Sequence, residues 1–264
     1  MSARAREGAS LLELDHVTLR FFGVTALRDV SFSVDEGELF AIIGPNGAGK
    51  TSIFNCLNGV YRPQEGSIRL AGENLVGRRR ESAQLGVGRT FQNLGLFENL
   101  SVVDNVMLGR HLSMRTGFLG GALWVGRARR EEVEHRRKVE EIIDFLELQA
   151  HRHQHVGLLP FGIQKRVEVG RALAMEPRLL LLDEPVAGMN LEETEDMARY
   201  IVEIGQRLGI TTVLVEHDMA LVMDLADRVL ALDFGEVIAH GTPAEIQGDE
   251  RVIAAYLGTE DAPA

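Results

Sequence analysis

Apolar and polar positions alternate near the start of the chain, with Val17, Leu19 and Phe21 on one face and then Val30, Phe32 and Val34. Period-two alternation predicts two half-buried antiparallel strands. The pattern changes at Leu39. Residues 39–43 form an unbroken apolar run ending at a glycine, and comparable runs recur at 179–182, 211–215 and 229–232. Such runs predict strands covered on both faces, as in a parallel sheet flanked by helices. Between 127 and 148, Val139, Ile142, Ile143 and Leu146 fall at i, i+3, i+4 and i+7 with charged residues opposite. Met197, Tyr200, Ile201, Ile204 and Leu208 repeat that rhythm before the stop at Gly209. The expected architecture is one α/β domain over 11–257, opened by an antiparallel β portion and interrupted by a mostly helical insertion over about 93–170. Residues 1–10 and 258–264 are expected to be tails.

Composition narrows the class. A chain of 264 residues buries enough surface to fold without disulfides or a structural metal, and its single cysteine, Cys56, has no internal partner. The formal net charge is −11, which offers no broad positive field to a nucleic-acid backbone. Any anion is therefore to be held by local chemistry, and no nucleic-acid partner is expected. Residues 1–10 lack the apolar stretch of a signal peptide, and nowhere do eighteen apolar residues run together. These features point to a soluble cytoplasmic protein that does not itself span a membrane.

Local anion chemistry is present at Gly44-Pro45-Asn46-Gly47-Ala48-Gly49-Lys50-Thr51, which satisfies G-x-x-x-x-G-K-[ST] directly after one predicted buried strand and before a helix-like stretch over 51–57. The glycines let backbone N–H groups curl around a β-phosphate. Lys50 adds a point charge, Thr51 a hydroxyl for Mg²⁺, and the helix start, including Ser52, its positive end. The same carboxyl edge of a parallel sheet collects the residues at the ends of the other runs. Asp183 and Glu184 come directly after 179–182 and point to opposite sides of their strand, Asp183 suited to Mg²⁺ and Glu184 to polarising water. His217 lies just beyond 211–215 in the context Glu216-His217-Asp218.

Taken in order, GPNGAGKT, RTFQN, LPFGIQKR, LLLLDEP, VAGMN and VEHD resemble the nucleotide-binding subunit of ATP-binding cassette (ABC) transporters, over nearly the whole of 11–257. The wording RTFQNLGLFENLSVVDNV, EPVAGMN, VEHDMALVMDLADRV and HGTPAEI, ending in AAYLG, resembles the branched-chain amino acid importers within that family. The resemblance implies the ABC ATPase fold, ATP and Mg²⁺ as ligands, and a dimer in which each site is built by two nucleotide-binding chains. It also implies attachment to transmembrane permease subunits at the cytoplasmic face, with a substrate-binding protein acting through them. By the same resemblance Phe21 stacks on adenine. Gln92 touches Mg²⁺ or the attacking water and senses the membrane partner. Phe161, Gly162 and Gln164, in the signature, close over the γ-phosphate of a neighbouring chain. Asn190 ends the D-loop, and His217 contacts the γ-phosphate and the water. Two positions depart from the common signature: Pro160 replaces a serine that donates a hydroxyl, and Phe161 replaces a glycine.

Two other readings are compatible with parts of the pattern. A lipopolysaccharide-export ATPase shares the C-terminal wording, but the stretch around 111–130 favours the importer. A non-transport ABC protein would be expected to carry paired cassettes or long coiled coils, which this chain lacks. Several features suit ordinary structure better than chemistry. His151, His153 and His155 lack an evident fourth metal ligand. The charged run 127–138 contains the i,i+4 pairs Glu132–Arg136 and Glu134–Lys138 of a solvated helix face. Arg78, Arg79 and Arg80 are expected in a loop, and Phe118, Leu119 and Trp124 in local packing. Leu94, Leu96 and Phe97 are candidates for a groove that takes a short helix of the membrane subunit.

Overall fold

Two sheets account for the two hydrophobic patterns in the computed structural model, which describes residues 10–90, 95–111 and 127–257. The alternating segments form β1 (Ser10–Phe21) and β2 (Val24–Asp35), paired antiparallel, with β4 (Glu65–Leu70) and β5 (Glu73–Asn74) completing a four-stranded sheet in the order β2-β1-β4-β5. Phe22 and Gly23 close the first hairpin with φ of 43° and 95°. A two-residue loop with both φ positive matches the right-handed twist of its flanking strands, which leaves Phe22 at the exposed tip.

The continuous apolar runs become β3 (Leu39–Ile43), β7 (Leu179–Asp183), β8 (Thr211–Val215) and β9 (Arg228–Asp233). With β6 (Val87–Arg89) and β10 (Glu236–Gly241) they form a second sheet in the order β10-β9-β3-β8-β7-β6, parallel except for the antiparallel edge strand β10. Strand parity explains why the runs are unbroken. Phe40, Ile42, Leu179, Leu181, Val213 and Val215 pack toward α1 (Lys50–Leu57) and the four-stranded sheet. Leu39, Ala41, Ile43, Leu180, Leu182 and Leu214 face the helices on the other side.

That second layer includes α3 (Val102–Leu108), α4 (Arg127–Phe145), α5 (Phe161–Leu173) and α6 (Leu191–Leu208). The buried stripe Val139, Ile143 and Leu146 fits the helical rhythm of α4 and its exit, and Tyr200, Ile201 and Ile204 that of α6. Of the two expected charge pairs on α4, Arg136 meets Glu132 at 2.9 Å, while Lys138 reaches Glu176 at 2.5 Å. Of the three arginines expected in a loop, Arg78 lies outside the regular elements, whereas Arg79 and Arg80 open a short helix, α2 (Arg79–Gln84), on which Ser82 is fully buried. The chain closes with α7 (Met219–Leu225), α8 (Pro243–Gln247) and α9 (Glu250–Leu257). Gln92, Asn93, Leu94, Phe118, Leu119 and Trp124 lie outside the described residues.

Cys56 sits fully buried on α1, where burial pushes its thiol up to about 12. Since the thiolate is the nucleophile, native protein at neutral pH should resist alkylation at Cys56. Its labelling by iodoacetamide should be slower by at least about a hundredfold than in denaturant. Equal rates in the two conditions would contradict this burial.

Candidate functional site

Four parallel strands, β3, β7, β8 and β9, end at one edge, and the segments leaving them build the candidate site. After β3 the chain turns at Gly44, whose φ is 149° and where a Cβ would lie 2.2 Å from the Leu232 carbonyl oxygen. Only glycine fits there. The Gly44 N–H donates to the Tyr256 hydroxyl at 2.9 Å, and Gly235, at the tip of the β9–β10 hairpin, donates to the Ala48 carbonyl at 3.0 Å. The loop is thus braced from two sides, and α1 begins beneath it without a side-chain cap, leaving its first backbone donors to an anion. Lys50 donates to the carbonyl oxygens of Gly44 at 2.5 Å and Pro45 at 3.0 Å. Burial lowers its pKa from the ordinary lysine value, against the opposing pull of Glu184 and Asp183. Asn46, Gly47 and Thr51 are exposed or nearly so, and Ser52 is half-buried.

At the end of β7 the two acids make different contacts. Asp183 is buried toward α1, where its Oδ2 accepts from Arg89 Nη2 at 2.9 Å. Glu184, one residue past the strand, has Oε1 at 2.9 Å from His217 Nε2. A carboxylate only accepts, so Nε2 carries the hydrogen in this pair. Glu184 has φ of 49°, a left-handed conformation that non-glycine residues adopt at a cost, and its backbone is held at both ends. Its N–H donates to Val215 O at 2.9 Å, and its carbonyl accepts from Lys165 Nζ, on α5, at 3.3 Å.

Glu216 supplies a further clamp. Its buried carboxylate accepts from the N–H of Val186 through Oε1 and of His217 through Oε2, both at 3.0 Å. Burial raises the Glu216 pKa, partly offset by these two backbone donors. The carboxylate joins the segments that carry Glu184 and His217. Glu216→Ala orphans both N–H groups and should cost about 2–4 kcal/mol of stability. Glu216→Gln, which can accept from only one, should cost about half of that. Thermal denaturation of the two variants checks the order, which a wild-type melting curve for Glu216→Ala would contradict.

The other residues singled out in the sequence lie further out. Phe21 is 37% exposed at the end of β1, its ring edge-on to Tyr61 with centroids 4.9 Å apart. Pro160 is the N-cap of α5 and makes no side-chain cap bond. Gln164 instead donates to the Leu159 carbonyl at 2.8 Å. The Phe161 ring borders Gly188, and a Cβ on Gly162 would meet the Glu193 carboxylate at 2.4 Å. Glu193 is itself tied to Asn190 in a capping box that starts α6, so the signature and the D-loop pack on each other. Among the described residues no hydrogen bond joins Phe161, Gly162 or Gln164 to residues 44–52.

Arg89, Glu216 and Tyr256 also belong to this centre: they stand within RTFQN, VEHD and AAYLG, but the sequence reading gave them no role. Strand parity was the available signal for Arg89, two residues after buried Val87, and helical spacing for Tyr256, four after buried Val252.

The match to known proteins covers the same segments. The ABC transporter family model matches residues 27–187, and that of the branched-chain amino acid ATP-binding cassette transporter matches 236–262, the stretch that includes Tyr256. The high-affinity branched-chain amino acid transport ATP-binding protein BraF of Pseudomonas aeruginosa is 39% identical over 249 residues, 94% of this chain and 98% of its own. The ADP conformation of MJ1267, an ATP-binding cassette of an ABC transporter, superposes with a TM-score of 0.82 at 28% identity, over 95% of this chain and 99% of that one. A dimeric post-hydrolysis state of the cassette MJ0796, bound to ADP and Pi, gives 0.73 at 25% identity over 88% and 98%. With a glycine loop, a paired acid edge and a histidine on one sheet, and likeness over nearly its full length, the chain belongs to the ATP-binding cassette family of ABC transporters.

Proposed function

We propose that this chain is the ATP-hydrolysing subunit of an importer for branched-chain or related amino acids. The observation that carries the substrate class is the match of 236–262 to the branched-chain module, joined to a likeness to BraF across nearly the whole chain. In this reading Phe21 stacks on adenine, and residues 44–52 cradle the phosphates through backbone N–H groups and Lys50. Stacking reads no hydrogen-bonding edge, so discrimination between ATP and GTP is weak.

The donor set near Lys50 suits Mg²⁺. Thr51 offers an exposed hydroxyl at the start of α1, and the Asp183 carboxylate lies against the same helix through Arg89 and Asn55, one turn beyond Thr51. Hard oxygen ligands of this kind hold the ion together with phosphate oxygens. Bound with the nucleotide, it neutralises charge on the β- and γ-phosphates. Gln92, three residues past the end of β6, is assigned to the ion or the attacking water. Glu184 takes the proton of that water, and the His217 N–H steers Glu184 and contacts the γ-phosphate. Phe161, Gly162 and Gln164 complete the site of a second nucleotide-binding chain, in keeping with the dimeric cassette structure.

The transmembrane permease subunits hold the chain at the cytoplasmic face of the membrane, and a substrate-binding protein delivers cargo to them. No helix among the described residues is long and apolar enough to cross a membrane. Of the docking candidates among the described residues, Leu96 and Phe97, the second is the better displayed. It is 58% exposed, on a segment pinned by buried Asn105, which accepts from Phe97 N–H at 2.9 Å and donates to the carbonyls of Phe97 and Ser101, both at 3.0 Å. Leu96 packs against the helical core instead.

Affinity purification from detergent-solubilised membranes tests this attachment. Wild-type chain should bring down integral membrane subunits, and Phe97→Asp should lose them while its circular dichroism is unchanged. Recovery of the wild-type chain without any membrane protein would overturn the transport reading.

A further inference from the structure

Strand register places a buried arginine against the carboxylate assigned to the metal. β6 and β7 pair in parallel with Arg89 opposite Leu181, and alternation brings Asp183, two residues on, to the same face. The guanidinium fork donates from Nη2 to Asp183 Oδ2 at 2.9 Å and from Nη1 to Asn55 Oδ1 at 2.7 Å. It also lies 5.5 Å from the centre of the Phe54 ring. The side chains of Arg89 and Asp183 are only 8% and 4% exposed. Arginine keeps its charge at any working pH, and a desolvated pair of this geometry is costly to break. Asp183 therefore has a permanent cation beside it, fixed to α1 through Asn55.

We propose that Arg89 is the resident counter-ion of Asp183: it keeps this carboxylate from collecting a divalent cation from solution, so that the cation is taken up together with the nucleotide's phosphates. Arg89 is a positioning residue, acting on the reaction through Asp183. Without the guanidinium, a buried negative charge would stand against α1 and bind a dication directly. With it, the phosphates must contribute the missing negative charge. The proposal rests on the reading of Asp183 as an Mg²⁺ residue, which has its own test. Mg²⁺ should tighten ADP binding to the wild-type protein, and Asp183→Asn should abolish that gain whatever Arg89 does.

The counter-ion itself is tested with Mn²⁺ as probe, monitored by electron paramagnetic resonance in the absence of nucleotide. ADP binding in EDTA certifies that each variant is folded. Arg89→Gln should bind Mn²⁺ at least about tenfold more tightly than wild type, because a unit positive charge has left a poorly solvated site. Arg89→Lys, which keeps the charge, should stay within about threefold of wild type. Adding Asp183→Asn to Arg89→Gln should erase the gain. Unchanged Mn²⁺ affinity in folded Arg89→Gln, a gain that survives Asp183→Asn, or an Arg89→Lys protein that behaves like Arg89→Gln would each overturn the proposal. If Arg89→Gln does not fold, nitrogen-15 resonances of the wild-type Arg89 guanidinium decide. They should be unmoved by Mg²⁺ alone and shift with Mg²⁺ and ADP, and a shift with Mg²⁺ alone would overturn the claim.

Discussion

Glu184→Gln should keep its ATP and lose turnover by about a hundredfold or more, the usual cost of removing a positioned base. The amide preserves the shape of the side chain, and its oxygen still accepts from His217 Nε2, which sits 2.9 Å from Glu184 Oε1. The backbone is held independently of the carboxylate, through Val215 O and Lys165 Nζ, so the substitution leaves the strand end in place. What it removes is the capacity to take a proton from water. Because Lys50 and the backbone N–H groups of the glycine loop are left in place, binding should survive, and the uncleaved nucleotide should accumulate in a closed dimer. Steady-state phosphate release and nucleotide titration on the same preparation check both halves. A native hydrolysis rate would show that Glu184 is not the base.

Lys50→Ala should lose both binding and turnover. Lys50 Nζ caps the carbonyl oxygens of Gly44 and Pro45, and it is buried beside two acids whose pull partly offsets its desolvation. A charged hydrogen bond of this kind contributes about 1.5–3 kcal/mol, so ATP affinity should fall on the order of tenfold to a hundredfold. Isothermal titration measures the loss, with circular dichroism to establish that the variant is folded. The contrast with Glu184→Gln is the informative result: one residue acts on ground-state phosphates and the other on water. Native ATP affinity in Lys50→Ala would place the phosphates elsewhere.

The parallel sheet was legible in the sequence because its strands are covered on both faces, so four separate apolar runs advertise it. Likewise the antiparallel hairpin shows in the alternation of Val17 and Leu19 with their neighbours. Other elements left less trace. β6 spans three residues, too few for a period, and one of them, Gly88, packs closely on Pro177. α2 has six residues, and the arginines around its start hide a fully buried position, Ser82.

Lys50, Asp183, Glu184 and His217 could be gathered in advance since each lies at or just beyond a strand that ends at the same sheet edge. The parts played by Arg89, Glu216 and Tyr256 could not, although the three stand within RTFQN, VEHD and AAYLG. Their contacts depend on which strand lies beside which, and on where α9 returns to Gly44, and a single sequence states neither. The match to the branched-chain family model, over 236–262, includes Tyr256, whose hydroxyl accepts from the Gly44 N–H.

The central claim is that hydrolysis at the Glu184 edge drives amino-acid uptake. Proteoliposomes containing the co-purified membrane complex, supplied with ATP on the side of this chain and with radiolabelled leucine and its binding protein on the other, measure that coupling. Wild-type complex should move leucine toward the ATP side in proportion to phosphate released, and the complex carrying Glu184→Gln should do neither. Leucine movement that is independent of ATP, or ATP hydrolysis that no branched-chain amino acid accompanies, would contradict the account.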